Sequence, residues 1–241
     1  MKKILSTILA SALVLGITSC GDDSGEDPIA LTITAPTAVS LGAGFEQTIS
    51  VDAAGSGLAS ASIQITQGST TVVTDEMTLS GDEADLDFSF TINATGDYDV
   101  TLTVTDGSGA SQTADLVLTI ACKPSPAFVD DTKVSLVAEA PDFTTGNMGL
   151  VGDLTQWADG ADIAMTKIGA SDCYCALLEP ADIATGGFKF RLDGTWDKVE
   201  KDSGCGEIDN RTASSAAASD TVSVAIAEWR NSDQFGGGCG N

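Results

Sequence analysis

From residue 28 to residue 122 the chain alternates apolar and polar side chains with a period of two. Leu86, Phe88, Phe90 and Ile92 are separated by polar positions, and Tyr98, Val100, Leu102 and Val104 repeat the pattern. Successive side chains of a strand point to opposite faces, so this spacing predicts half-buried antiparallel strands. Further strands are predicted at 31–34, 46–53, 60–66, 70–79 and 113–120, each bounded by Gly, Ser and Asp. Seven strands in about 95 residues make a two-sheet sandwich. Lys123-Pro124-Ser125-Pro126 then opens a short stiff linker, 123–132. Beyond it, strands are predicted at 134–140, 149–153, 163–168, 173–179, 186–193 and 221–229, so 133–231 is a second β domain, followed by a Gly-rich tail, 232–241. The expected fold class is all-β, with two tandem β-sandwich domains.

The N-terminus breaks this pattern. Lys2 and Lys3 precede an unbroken, largely apolar run from Ile4 to Ile17, the n-region and h-region of a secretory signal, too short for the ~20 residues of a membrane span. The run ends Ile17-Thr18-Ser19-Cys20, which resembles a bacterial lipobox. That resemblance implies a signal peptide at 1–19, removed after Cys20 is lipidated, so that Cys20 is the mature N-terminus. Gly21-Asp22-Asp23-Ser24-Gly25-Glu26-Asp27 completes an acidic tether, 20–27. It looks like the address by which Bacteroidota lipoproteins reach the outer cell surface, which implies a lipid-anchored outer-membrane protein exposed to the medium.

Charge narrows the function classes. The formal charge is −24, from 11 Lys+Arg against 35 Asp+Glu, with no His. A surface this acidic repels phosphate backbones, so no nucleic-acid partner is expected. Without His there is no Ser-His-Asp triad, no Cys-His pair and no imidazole ligand for zinc or haem. The acids are unevenly matched: 21–122 has no Lys or Arg and 16 acids, whereas 123–241 has 9 bases and 19 acids. This step also sets a domain boundary near residue 123. Asp82, Glu83, Asp85 and Asp87 invite a Ca²⁺ reading, but alternation places Asp85 and Asp87 on a solvent face, and a solvated acid run is the expectation. No cofactor or metal is otherwise expected.

With Cys20 lipidated, Cys122, Cys173, Cys175, Cys205 and Cys239 remain outside the reducing cytoplasm. An odd number permits at most two disulfides and leaves one thiol. Cys173 and Cys175 flank Tyr174 in a predicted strand and point to one face, so they are poorly placed to join each other. Each is expected to reach Cys205 or Cys239 instead. Their spacing matches no ordinary zinc pattern.

Two resemblances extend the reading. Gly96-Asp97-Tyr98-Asp99-Val100-Thr101-Leu102-Thr103-Val104-Thr105-Asp106 resembles the closing strands of PKD and related immunoglobulin-like surface modules, with Tyr98 as corner tyrosine and Asp106-Gly107 at the hairpin turn. It implies an Ig-like sandwich over 28–122, of a kind that acts as a spacer. In the second half, Gly149-Leu150-Val151-Gly152-Asp153-Leu154-Thr155-Gln156-Trp157 looks like the Gly-Asn/Asp to Trp stretch of starch-binding carbohydrate-binding modules, the family of the glucoamylase starch-binding and glycogen-binding domains. Ala164-Met165, Cys173 to Glu179, Gly187-Phe188-Lys189-Phe190 and Gly194-Thr195-Trp196 follow in that family's order. The region after Trp196 is similar to a bacterial form found in lipoproteins or beside hydrolase domains.

The second resemblance implies that Trp157, Lys189 and Trp196 bind carbohydrate. Strand alternation agrees, since Phe188, Phe190 and Leu192 share one face and Lys189 and Arg191 fall on the other, accessible one. Trp229, in the last strand, is expected in the core. Glu207, Asn210 and Arg211 are read as ties of a long loop. Neither half carries a nucleophile motif, and acids are too abundant for any pair to mark a glycosidase, so the chain is expected not to be an enzyme. The implied function is a non-catalytic cell-surface lipoprotein binding α-glucan, meaning starch or glycogen oligosaccharides, beside an outer-membrane transporter or hydrolase. The alternative is a structural or adhesive lipoprotein using the same fold for protein contacts.

Overall fold

The computed structural model describes residues 31–184 and 186–240; the expected signal peptide, the acidic tether and Cys20 lie outside them. The described chain falls into two compact units, one of 31–41, 46–91 and 96–120, the other of 42–45, 92–95 and 121–240. The fold is nearly all β.

The first unit is built on β1 (Thr32–Thr34), β2 (Ala38–Gly42), β3 (Gln47–Ala54), β4 (Leu58–Gln67), β5 (Thr70–Thr78), β6 (Glu83–Phe90), β7 (Gly96–Asp106) and β8 (Ser111–Ala121). They form two sheets, β1-β3-β6 and β2-β8-β7-β4-β5, as an Ig-like sandwich. Alternation carries the core: Leu86, Phe88 and Phe90 of β6 and Tyr98, Val100, Leu102 and Val104 of β7 are buried. One strand beyond the expected seven is β2. Only Val39 and Gly42 of its five residues are buried, too few for a period to be read.

Asp106 shapes the β7–β8 loop as expected, its Oδ1 accepting from the backbone N–H groups of Ser108 and Ala110. Asp85 and Asp87 are exposed, and Asp87 accepts from the Ser50 hydroxyl at 2.7 Å. Asp82 accepts from the backbone N–H of Gly57 at 2.9 Å. Among the described residues no three Cys, Asp or Glu are grouped to hold a metal ion.

The second unit contains β9 (Val134–Glu139), β10 (Met148–Gly152), β11 (Ile163–Ala164), β12 (Thr166–Lys167), β13 (Cys173–Leu178), β14 (Phe188–Leu192), β15 (Glu200–Lys201), β16 (Thr221–Ala225) and β17 (Glu228–Trp229), with one short helix, α1 (Pro180–Ala184). Its sheets run β11-β10-β14, β12-β13-β9-β16 and β15-β17, and β16 lies parallel to β9. Two expected strands are each divided. The strand expected at 163–168 breaks at buried Met165, so β11 pairs with β10 and β12 pairs with β13 in a different sheet. The strand expected at 221–229 breaks after Ala225, and Glu228-Trp229 leaves β9 to pair with β15. Both breaks let one chain segment serve two layers, which no local periodicity records.

The core of this unit takes Val134, Leu136 and Ala138 from β9, Tyr174, Ala176 and Leu178 from β13, and Phe188, Phe190 and Leu192 from β14. Trp229 is fully buried among them, and its indole N–H donates to Thr144 Oγ1 at 2.8 Å.

Two disulfides close the unit. They join Cys122 to Cys173 and Cys205 to Cys239, and Cys175 is a buried free thiol. The expected count of two bridges and one leftover thiol holds. The partner expected for Cys173 does not: it pairs with Cys122, at the end of β8 and ahead of the linker, because β13 carries it there and Cys205 is taken by Cys239. Nor does Cys175 reach a partner, since it is fully buried inside the unit. Residues 232–240, expected as a tail, are part of the unit: Cys239 and Ser232 are buried, and Ser232 Oγ accepts from the Cys239 N–H at 2.9 Å. Disulfides persist in oxidising compartments, which places the chain outside the cytoplasm. No helix of the described residues is long and apolar enough to cross a membrane.

Candidate functional site

The site lies on the β10–β14 side of the second unit. At the end of β10, Gly152 passes so close to β14 that a Cβ there would sit 2.4 Å from the Gly187 carbonyl oxygen. Only glycine fits that approach. The chain then makes one 3₁₀ turn, Asp153–Thr155, and both Gln156 and Trp157 adopt left-handed backbone, with φ of 55° and 56°. Neither residue has glycine's freedom, so the surroundings must hold them there.

Asp153 does much of the holding. One carboxylate oxygen accepts from the Trp157 indole N–H at 2.7 Å, the other from the Gly187 backbone N–H at 2.7 Å. The Trp157 hydrogen bond, then that of Gly187, keeps its carboxyl below the usual aspartate range. The Asp-to-Trp spacing in the sequence thus has a mechanical meaning: the acid at the start of the turn clamps the ring at its end.

Trp196 arrives from the other side. The tight turn at Asp193 and Gly194, both left-handed, leads from β14 into a 3₁₀ turn at Trp196–Lys198, whose N-cap is Thr195. Asp193 is tied to Lys198 at 2.8 Å, which holds its carboxyl below the usual range. The rings of Trp157 and Trp196 come within 6.1 Å, centroid to centroid, inclined by 25°. Both are half-buried. With Lys189, Val199, Glu207, Asn210 and Arg230 they line an open groove of about 330 Å³. The three residues expected to act together, Trp157, Lys189 and Trp196, therefore do meet.

Strand alternation places Lys189 and Arg191 opposite the core, as expected, but that face is not open. Loop 153–162 folds over it. Arg191 is fully buried, its Nε donating to both oxygens of Asp162 at 2.9 and 3.1 Å and its Nη1 to Asp159 at 3.0 Å. Its Cζ lies 4.8 Å from the centre of the Trp196 ring. The guanidinium thus supports the Trp196 ring and fastens the loop that carries Trp157. Lys189 is exposed over only 12% of its side chain, and its Nζ donates to the Ile208 carbonyl oxygen at 2.6 Å. One donor spent leaves two on the ammonium.

The far wall comes from the loop after β15. Glu207 accepts from Lys201 and Arg230, and Lys189 stands 4.0 Å away. The Lys201 hydrogen bond first, and Arg230 after it, hold the Glu207 carboxyl below the usual range. Arg230 also donates to the Trp196 carbonyl oxygen at 3.1 Å, linking this wall to the aromatic one. Arg211 is a loop tie as expected: it pairs at 2.7 Å with Glu200, which is fully buried and also accepts from the Phe190 N–H at 2.9 Å. Glu207 and Asn210, read as ties as well, face the groove. Arg230 had no local signal, since nothing in β17 or after it shows which loop the strand end will meet.

No family model matches the chain, and no curated protein matches it. Several solved structures are similar. The fibronectin(III)-like modules of Clostridium thermocellum CbhA are 14% identical over 68% of this chain and 86% of their own, with a TM-score of 0.26. A CARDB domain of Pyrococcus furiosus, described in complex with di-metal ions, is 18% identical over 38% of this chain and 90% of its own, with a TM-score of 0.28. An engineered protein is 21% identical over 39% of this chain, with a TM-score of 0.33, and this chain spans about a fifth of its length, 21%. At these TM-scores they do not bear on the site, which rests on its own geometry.

Proposed function

We propose that this is a non-catalytic, cell-surface lipoprotein that binds α-glucan oligosaccharides in the groove lined by Trp157, Lys189 and Trp196, held at the outer membrane by lipid on Cys20 and serving a neighbouring transporter or hydrolase. One observation carries the reading: two half-buried indole rings lie nearly parallel beside a lysine that keeps two donors free. A flat apolar ring suits the C–H face of a pyranose, and a short fixed set of donors and acceptors suits its hydroxyls. The left-handed backbone at Trp157 adds support, because strain of this kind is kept where a side chain must be presented.

Isothermal titration with maltoheptaose and with soluble starch tests it. Trp157→Ala and Trp196→Ala each remove a stacking face worth about 1 to 3 kcal/mol, by comparison with base stacking on aromatics, so each weakens binding about 5- to 150-fold with far-UV circular dichroism unchanged. Lys189→Ala costs less, since an exposed hydroxyl that loses its partner is rehydrated. No heat at millimolar ligand overturns the reading in favour of a structural or adhesive role.

A further inference from the structure

The polar wall of the groove departs from the rest of the chain in the sign of its charge. Residues 123–241 have 9 bases against 19 acids, yet three of those bases, Lys189, Lys201 and Arg230, converge on one carboxylate, Glu207. The cluster therefore carries a net charge of +2. Its donors are only partly used. Lys189 donates to a neutral acceptor, the Ile208 carbonyl, and stands 4.0 Å from Glu207. Arg230 spends one N–H on the Trp196 carbonyl and one on Glu207, of the five that a guanidinium carries. Lys189 and Arg230, the latter 31% exposed, line the same groove as the two indole rings. Glu207 shows what this wall accepts: it is itself a carboxylate, 60% exposed, held by hydrogen bonds from Lys201 and Arg230.

We propose that this wall is a carboxylate subsite, in which Lys189 and Arg230 hold an acidic sugar of a glycan that also packs on Trp157 and Trp196. This rests on the glycan reading of the groove and narrows its ligand to α-glucans in which a glucose unit bears a carboxylate in place of its primary alcohol. The ligand oxygens take the donors that Glu207 leaves unused, and the planar fork of Arg230 matches a carboxylate edge. The formal charge of −24 repels such a ligand at long range. At about 0.15 M salt, however, the screening length is about 8 Å, so the contacts inside the groove outweigh remote acids.

The test is isothermal titration at that salt with three ligands on one backbone. They are maltoheptaose, maltoheptaose with one primary alcohol oxidised to the carboxylate, and the methyl ester of that acid, which keeps the shape and removes the charge. Wild type binds the acid about tenfold or more tighter than maltoheptaose or the ester, the scale of a hydrogen bond made to a charged group. Arg230→Gln and Lys189→Gln each cut that ratio to about threefold or less, with far-UV circular dichroism confirming the fold. Glu207→Gln, which removes the resident carboxylate and keeps an acceptor, raises the ratio. Equal binding of all three ligands by wild type overturns the proposal and leaves the glucan reading standing. A ratio that survives both Arg230→Gln and Lys189→Gln, or that Glu207→Gln lowers, overturns it too. If the acid binds while maltoheptaose and the ester give no heat, the neutral α-glucan reading fails and the carboxylate subsite stands. No heat from any of the three overturns both.

Discussion

The indole N–H of Trp157 donates to the carboxylate of Asp153 at 2.7 Å across a single turn whose last two residues are left-handed. That bond fixes one of the two groove rings from within its own loop. Asp153→Ala is expected to release the ring and weaken maltoheptaose binding about tenfold. Asp153→Asn is expected to fall between the two, because its amide oxygen still accepts from the indole while its NH₂ opposes the Gly187 N–H. The pH dependence has a definite sign. The folded Asp153 carboxyl titrates below its unfolded range, so its contribution is complete above the unfolded value and disappears as pH falls through the folded one. Tryptophan emission should therefore stay constant from neutral pH down to the ordinary aspartate range and shift only below it. A transition centred above that range would contradict the clamp.

Arg191 should behave as a structural charge with a functional consequence. It is fully buried against Asp162, whose side chain is only 13% exposed, and removing one member of such a pair leaves the other charge uncompensated. Arg191→Met is expected to cost about 3 kcal/mol or more in urea unfolding. It should also loosen the Trp196 ring and loop 153–162 together, because the guanidinium touches both. Stability equal to wild type would show that the loop does not depend on this anchor.

The thiols give a prediction free of any ligand. Burial pushes the Cys175 thiol up to about 11, so it is almost wholly protonated and shielded at neutral pH. Iodoacetamide should add no label to the native oxidised protein, one label in denaturant without reductant, and five to residues 122–239 after reduction. Replacing Cys205 and Cys239 by Ser opens a loop of 34 residues and is expected to cost about 4 kcal/mol by chain entropy. Three or more labels within residues 122–239 of the unfolded, unreduced protein, or a single label at a cysteine other than Cys175, would contradict the pairing.

Cys20→Ser tests the anchor. The lipobox-like end of the leader predicts that the variant incorporates no radiolabelled palmitate and is retained as precursor or shed. Incorporation at the wild-type level would remove the lipid anchor from the proposed function.

What the sequence determined by itself is the class of structure and the members of the aromatic pair. Strict alternation in β6 and β7 can be satisfied only by a half-buried strand, because a helix would scatter Leu86, Phe88 and Phe90 around its axis. An odd number of cysteines likewise forced a leftover thiol, whatever the pairing. What tertiary structure alone decided is everything that depends on which loop covers which face. Alternation put Lys189 and Arg191 on one side of β14, yet a period of two cannot say whether that side meets solvent or loop 153–162, and Arg191 proved fully buried. Cys122 found Cys173, and Arg230 found Glu207, across 51 and 23 residues of sequence. Such pairings are chosen by the packing of whole sheets, where the free energy of one long-range contact depends on all the others being in place.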